Sequence, residues 1–167
     1  MKRALRRLDS VRQQLLKIVT PLDADIFARR PSETEWSVGE IIEHLALVED
    51  RVRGDLAKAV QREPQHLPFL RRLIPTAIVA SRVVRVKSPQ AVTPKQATNK
   101  DEALEQLNHS RSELKLLCEQ HGAERLRTVV FKHPFLGPIG GVAAVSFIGY
   151  HEQRHLKQIR EVLQKIN

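Results

Sequence analysis

Apolar residues recur at helical spacing in four separate parts of the chain. On the segment from Lys2 to Thr20 the apolar stripe consists of Leu5, Leu8, Leu15 and Val19. Residues three or four positions apart lie on one face of an α-helix, so this stripe predicts a helix with one buried face. Pro21 ends it, because proline cannot continue the helical hydrogen bonding and disfavours helical dihedrals in the preceding residue. A loop is predicted from Pro21 to Trp36.

The second predicted helix has an explicit start. Ser37 can cap it, and Glu40 three residues later completes a capping box. The inward positions of this helix are then Ile41, His44, Leu45, Val48, Val52 and Leu56.

A third helix is predicted from Lys100 to His121, ending before Gly122. A fourth runs from beyond Gly141 into the last residues of the chain.

Two connections separate these later helices. From Arg125 to Gly141 we expect a loop with a short extended piece at Thr128 to Phe131, since the prolines and glycines that follow disfavour regular structure. From Pro64 to Lys100 we expect a long connection over the surface of the bundle, with a helical turn or two in Ile74 to Ala80. The fold class predicted is all-α, a four-helix bundle with a long connection between helices 2 and 3. It forms a single domain over residues 1–167.

The net charge of +9 is concentrated in one part of the chain. The segment from Pro64 to Lys100 contains seven Lys or Arg residues and no Asp or Glu. Such a basic segment could attract an anionic substrate, a membrane surface or nucleic acid. The simpler interpretation is a solvated basic insertion. Nucleic-acid binding is not expected, since Phe69 is the one aromatic residue there that could stack on bases.

The single cysteine, Cys118, cannot form an intramolecular disulfide. Its place on the apolar stripe of helix 3 favours a packed thiol over a redox or nucleophilic one. The longest uncharged apolar run, Ile139 to Tyr150, has twelve residues, whereas a membrane span needs about 20. We therefore expect a cytoplasmic protein with no membrane association.

Two histidines, His151 and His155, stand four residues apart on the inward face of helix 4. Their Cβ atoms should lie roughly 5 to 6 Å apart, so both rings can reach one divalent cation. His44 has the same kind of inward position in helix 2 and is the predicted third ligand. A buried histidine is usually a core residue with a hydrogen-bond partner, and that interpretation stays open for each of the three. Together they favour a metal site with an open coordination position, since closed structural zinc sites use four protein ligands.

The residues from His151 to His155 also match the H-E-x-x-H pattern of zinc peptidases. A peptidase is not expected, because Glu161 lies off the face of the helix that carries the two histidines. Glu152 is the candidate catalytic residue, placed to orient or deprotonate a bound water or thiol. A solvent-facing or salt-bridged glutamate is the structural alternative.

Other side chains are weaker candidates. His133 could lie at the mouth of the site or serve as a structural residue of its loop. Glu40 and Glu43 could hydrogen-bond the distal nitrogen of a ligand histidine. The remaining histidines are expected at the surface or at helix ends: His66, His109 and His121.

Three segments together resemble a known family: Trp36 to Leu45 (WSVGEIIEHL), His133 to Pro138 (HPFLGP) and Tyr150 to Ile159 (YHEQRHLKQI). They resemble the DinB-like (DinB/YfiT) superfamily of metal-binding four-helix bundles over essentially the whole chain. The resemblance implies a divalent metal held by three histidines, at the positions of His44, His151 and His155. It also implies a homodimer, and activities such as those of relatives that are thiol transferases or isomerases using bacillithiol or mycothiol.

We therefore expect a metal-dependent enzyme, a thiol S-transferase or related hydrolase acting on a small molecule with a low-molecular-weight thiol. Zinc and nickel are the first candidates for the metal, and manganese and iron are further ones. The basic segment would recruit an anionic cosubstrate. The alternative is a metal-binding protein without turnover, acting in stress response or as an interaction module.

Overall fold

The computed structural model describes residues 1–68, 76–80, 90–94, 99–134 and 136–166. The α-helices in these ranges are α1 (Lys2–Val19), α2 (Ala24–Ala28), α3 (Val38–Ala59), α4 (Lys100–Arg127) and α5 (Gly141–Ile166). Two short strands, β1 (Val130–His133) and β2 (Gly137–Gly140), precede α5. Two 3-10 helices lie between α3 and α4, at Thr76–Ala80 and Gln90–Val92.

The four long helices form the predicted bundle. Helix α1 packs against α5, and α3 packs against both α4 and α5. The two helices that carry the candidate metal ligands, α3 and α5, are therefore neighbours. Within the described ranges, no helix combines the length and apolar character needed to span a membrane.

The start of α3 follows the predicted capping box. The Ser37 hydroxyl accepts a hydrogen bond from the Glu40 amide at 3.2 Å, and the Glu40 carboxylate accepts one from the Ser37 amide at 2.9 Å. The Arg30 guanidinium also donates to this carboxylate, through Nε at 2.7 Å. Burial opposes ionisation of Glu40, but these donors stabilise its charge and lower its pKa. The bonds fix the first turn of the helix that carries His44.

Some local predictions were wrong. The loop predicted from Pro21 to Trp36 contains α2, which Asp23 caps by accepting a hydrogen bond from the Ile26 amide at 2.7 Å. Helix α4 has a break at Gly122, with φ 69°, where the predicted helix ends, but a further helical segment follows and continues to Arg127, two residues into the predicted loop.

The residues expected to lack regular structure form β2, which pairs antiparallel with β1. Pro138, opposite Lys132, is tolerated because β2 has a neighbouring strand on one side only among the residues that the structure describes. The predicted extended piece is present in part, as β1 starts at Val130 and ends at His133.

The long connection is described in pieces. The 3-10 helix Thr76–Ala80 packs against α5, and Lys157 Nζ donates to the Ala80 carbonyl oxygen at 3.3 Å. The second 3-10 helix, Gln90–Val92, contacts α3 and contributes the buried Val92. The basic side chains predicted to recruit an anion lie outside the described residues, except Lys100: Arg71, Arg72, Arg82, Arg85, Lys87 and Lys95.

The buried apolar residues form two clusters. One includes Leu8, Val52, Leu114 and Ile148, together with Cys118. The other includes Leu15, Leu45, Leu107 and Ile159. Each long helix contributes to both clusters, so the core is divided along the length of the bundle. The prediction of a packed Cys118 is confirmed, since 4% of this residue is exposed.

Candidate metal centre

The three candidate ligands lie together between α3 and α5. The ring nitrogens of His44, His151 and His155 that could bind a cation all lie within 4.8 Å of one another. The ring centroid of His44 is 5.2 Å from that of His151 and 4.8 Å from that of His155. Helix periodicity brings the two C-terminal rings to 4.5 Å from each other. The packing of α3 on α5 adds the third ring.

Hydrogen bonds at the distal nitrogens orient two of these rings. His44 Nδ1 donates to the Val92 carbonyl oxygen at 2.6 Å, and His155 Nδ1 donates to Gln158 Oε1 at 2.9 Å. Because these oxygens only accept, each Nδ1 carries the proton, and each Nε2 keeps its lone pair. This arrangement is typical of metal-ligating histidines, whose outer nitrogen usually donates to an oxygen.

The hydrogen bond between His151 and His155 shows which nitrogen of His151 carries a proton. His155 Nε2 lies 3.2 Å from His151 Nε2. Since His155 Nε2 has no proton in this tautomer, His151 Nε2 donates the hydrogen bond between them. A cation bound here would take the place of that proton.

Burial keeps all three imidazoles neutral at neutral pH. Desolvation lowers the pKa of His44 and outweighs the opposite effect of its hydrogen bond to Val92. Desolvation also lowers the pKa of His151 and His155 well below the ordinary value, and the positive charge of Arg154 lowers both further. Neutral imidazole is the form that ligates metal ions.

Aromatic side chains flank the three rings. The centroid of Trp36, the residue before the capping serine, lies 5.0 Å from that of His44. Phe147, one helical turn before His151, stacks on its ring at 5.5 Å between centroids. His133 also packs against Phe147, at 4.4 Å between ring centroids, and its Nδ1 accepts a hydrogen bond from the Leu136 amide at 3.2 Å. His133 is buried and takes part in the structure of its loop, and it lies close enough to His151 to contribute to the lowering of the pKa of that residue.

The other candidate histidines lie as predicted for surface or helix-end residues. His66 and His109 are exposed, and His121 is half-buried beside the interruption of α4. Glu40, proposed as a hydrogen-bond partner of a ligand histidine, is instead engaged with Ser37 and Arg30. The Val92 carbonyl takes that place beside His44.

The donor set fits a divalent transition metal. Zn²⁺ binds imidazole nitrogens at about 2.0 to 2.1 Å, which places the nitrogens of a tetrahedral site about 3.4 Å apart. The nitrogens of His151 and His155 are already 3.2 Å apart, and the third lies within 4.8 Å of both. Three protein ligands leave one coordination position of a tetrahedral cation for water or substrate.

The structure places Glu152, the predicted catalytic residue, in a different environment. Its carboxylate oxygens accept hydrogen bonds from Arg12 Nε at 2.5 Å and from Arg111 Nη2 at 2.7 Å. Both oxygens are thus held by guanidinium groups within the core, and 2% of the residue is exposed. Glu152 is therefore a buried, salt-bridged residue, which was the structural alternative. Its environment gives no support to a catalytic role.

Four charged residues form this buried network, which we call the charged layer: Arg12, Glu49, Arg111 and Glu152. Sequence reasoning missed the first three. A sequence signal for the two arginines existed, because Arg12 occupies an inward position on the apolar stripe between Leu8 and Leu15. Arg111 has the same relation to Leu107 and Leu114.

Comparisons with known proteins agree with the fold. Residues 7–159 match the model of the DinB superfamily, so the chain belongs to that superfamily. It is 26% identical over 154 residues to YuaE of Bacillus subtilis (strain 168), described as uncharacterized, and the match covers 83% of each chain.

Two solved structures share the fold. TT2238, described as a four-helix bundle protein, superposes with a TM-score of 0.66 at 24% identity over 96% of this chain and 98% of that one. YfiT from Bacillus subtilis superposes with a TM-score of 0.68 at 13% identity over 99% and 86%. YfiT is described as "a probable metal-dependent hydrolase with an unusual four-helix bundle topology".

Proposed function

We propose that this protein binds a divalent metal ion through His44, His151 and His155 and acts as a metal-dependent thiol S-transferase or related hydrolase. The observation that carries the proposal is the convergence of three neutral imidazoles, with ring nitrogens within 4.8 Å of one another. Membership of the DinB superfamily and the description of YfiT as a metal-dependent hydrolase support the same class of site.

The residues around the histidines prepare them for a cation. The Val92 carbonyl and the Gln158 side chain hold the protons of His44 and His155 on Nδ1, leaving Nε2 of both rings as ligands. For His151 Nε2 to become the third ligand, the ring must change tautomer and carry its proton on Nδ1. When bound, a divalent cation supplies a Lewis acid that lowers the pKa of a coordinated thiol or water to near neutral.

The surroundings of the site also shape access to it. Trp36 and His151 are half-buried, whereas His44 and His155 are buried. A small molecule therefore reaches the triad from the side of Trp36 and His151. Phe147, stacked on His151, makes the adjoining wall apolar. We propose a low-molecular-weight thiol and a small electrophile, or a hydrolysable small molecule, as the substrates that meet there.

The test begins with protein purified without a histidine tag or nickel resin. Titration calorimetry with Zn²⁺, Ni²⁺ and Mn²⁺ is expected to give one site per chain, and His151→Ala is expected to weaken binding at least tenfold. The matched control is His109→Ala, which removes an exposed histidine from α4. Equal binding by wild type and His151→Ala would show that the three histidines are not the site.

The same samples are then assayed for turnover. Conjugation of bacillithiol, mycothiol or cysteine to a fluorescent bimane electrophile is expected to depend on metal and to be lost in His151→Ala. Hydrolysis of ester and amide substrates is measured in parallel and decides between the two reaction classes. Tight metal binding without a metal-dependent rate in either assay would favour the metal-binding protein without turnover.

A further inference from the structure

The charged layer connects all four long helices at one level of the bundle. Arg12 comes from α1, Glu49 from α3, Arg111 from α4 and Glu152 from α5. None of the four residues is more than 6% exposed. The two helices that carry the three histidines contribute the glutamates, and the other two contribute the arginines.

The contacts of the two arginines are equivalent. Arg12 Nε binds Glu152 at 2.5 Å, and Arg111 Nε binds Glu49 at 2.6 Å. Arg12 Nη2 binds Glu49 at 2.9 Å, and Arg111 Nη2 binds Glu152 at 2.7 Å. Each arginine therefore bridges the carboxylates of the two histidine-bearing helices.

Each arginine also reaches a backbone oxygen of the other arginine's helix. Arg12 Nη1 donates to the Leu107 carbonyl oxygen at 2.6 Å, and Arg111 Nη1 donates to the Leu8 carbonyl oxygen at 2.8 Å. Leu8 is four residues before Arg12, and Leu107 is four residues before Arg111. The guanidinium forks are thus held from both sides, which fixes their planes.

This geometry restricts the rotation of α5. Glu152 directly follows His151 and precedes His155 by three residues. Successive residues are about 100° apart around a helix, so a shift of one residue would carry Glu152 away from both guanidinium groups. The same shift would turn His151 and His155 away from α3.

The layer restricts α3 in the same way. Glu49 lies five residues after His44 on this helix, and both of its oxygens are bound by arginines. Rotation of α3 would break these contacts and move the His44 ring from its hydrogen bond with Val92. Contacts of the same two guanidinium groups therefore oppose rotation and sliding of both ligand-bearing helices.

We propose that Arg12 and Arg111 are positioning residues for the metal site, and that they act through Glu49 and Glu152 to hold α3 and α5 where their histidines meet. This inference rests on the proposed metal site. Net stability is a weaker explanation of the layer, because well-packed apolar residues often replace a buried ion network at no cost in stability. Apolar contacts are less directional than hydrogen-bonded ion pairs, so the charged layer defines the rotation of each helix more closely.

The main test removes the whole layer without leaving an unpaired charge, in the variant Arg12→Met, Glu49→Leu, Arg111→Met and Glu152→Leu. Two properties are measured: Co²⁺ affinity with its absorption spectrum, and cross-relaxation between the His44 and His155 rings in metal-free protein by NMR. Circular dichroism and urea unfolding check the fold. We expect a helical, stable protein with a Co²⁺ affinity reduced at least tenfold, an altered spectrum and weakened cross-relaxation.

A second variant covers the case in which the fourfold replacement does not fold. Arg111→Lys keeps the charge but cannot hold two carboxylates in a fork. We expect a smaller loss of Co²⁺ affinity and weakened cross-relaxation in the folded protein. The matched control is Lys115→Met, which removes the 2.8 Å ion pair to Asp9, also between α1 and α4 but outside the layer. This control is expected to behave as wild type.

The outcomes separate the two proposals. Wild-type Co²⁺ binding and cross-relaxation in a folded fourfold variant, or in Arg111→Lys where the fourfold variant is unfolded, would overturn the positioning role. If wild-type protein binds no metal, the proposed function is wrong. In that case the cross-relaxation in metal-free protein still decides whether the layer positions the histidines.

Discussion

At the scale of single residues, burial sets the chemistry of several side chains. It keeps the three histidines neutral at neutral pH, which is the form that can bind a metal ion. Burial also favours the neutral form of Cys118, which is the protonated and unreactive thiol. Burial and the negative charge of Glu119 raise the pKa of Cys118 to about 11 from 9.0. Cys118 is thus a core residue and does not supply the thiol for the proposed reaction.

Cys118 is expected to react slowly with thiol reagents in the folded protein. A raised pKa means that the thiol stays protonated at a pH where an unfolded chain already forms thiolate, the reactive species. At pH 8 the shift from 9.0 to about 11 lowers the thiolate fraction about 100-fold. The measurement compares alkylation by iodoacetamide in buffer and in urea, with free cysteine as the control in both. Similar rates in the two conditions would contradict a buried thiol.

At the scale of elements, the start of α3 determines the position of the site. The capping box at Ser37 and Glu40 fixes the first turn of this helix, and His44 follows seven residues after the cap. Trp36, immediately before the cap, packs beside the His44 ring. One short sequence thus specifies the helix boundary, a ligand and one wall of the site.

Ser37→Ala is expected to lower the free energy of unfolding by about 1 to 2 kcal/mol, because the Glu40 amide loses its acceptor and the serine is completely buried. Urea unfolding followed by circular dichroism measures this loss. The matched control is Ser112→Ala on the exposed face of α4, whose hydroxyl donates to the Asn108 carbonyl at 3.1 Å. Alanine favours helix there, so no loss is expected. Equal stabilities of the two variants would mean that the cap contributes nothing measurable.

At the scale of the whole molecule, the charged layer separates the two apolar clusters of the core. Its six shortest contacts are unchanged when Arg12 is exchanged with Arg111 and Glu49 with Glu152. Two longer contacts, from Arg111 Nη2 at 3.5 Å and from Ser110 Oγ at 3.4 Å, reach Glu49. The histidines do not follow this two-fold pattern. On α5, His151 comes one residue before Glu152 and His155 comes three residues after it. On α3, the corresponding positions around Glu49 are held by Val48 and Val52. The bundle is thus nearly symmetric at this level, and the three histidines lie on one side of it.

Metal binding is expected to stabilise the whole bundle, because the site joins two helices and does not exist in the unfolded chain. At a free metal concentration 100 times the Kd the gain is about 2.7 kcal/mol, which raises Tm by roughly 5 to 10 °C. Chelation by EDTA should reverse it. His44→Ala should remove the shift, and His66→Ala, at an exposed position, should retain it. A Tm that does not respond to metal in wild type would contradict a site between α3 and α5.

Much of this architecture was predictable from local patterns. The boundaries of α1 and the capping of α3 depend on residues close together in sequence, and both were predicted within one residue of their observed positions. The face shared by His151 and His155 follows from helix periodicity. Strand β2 was not predicted, because its residues become extended only by pairing with β1. The partners in the charged layer were not predicted either, since they lie 37 to 140 residues apart.

The amino-acid sequence by itself determined which segments are helical and which of their side chains turn inward, because both depend on neighbours within a turn or two of helix. It also determined that three of the inward residues are histidines. Only the tertiary structure decided that α3 lies beside α5 and that Glu152 meets two arginines. Those contacts depend on which helices are neighbours and on how far each is shifted along its axis relative to the others, and periodicity within one helix leaves both undetermined.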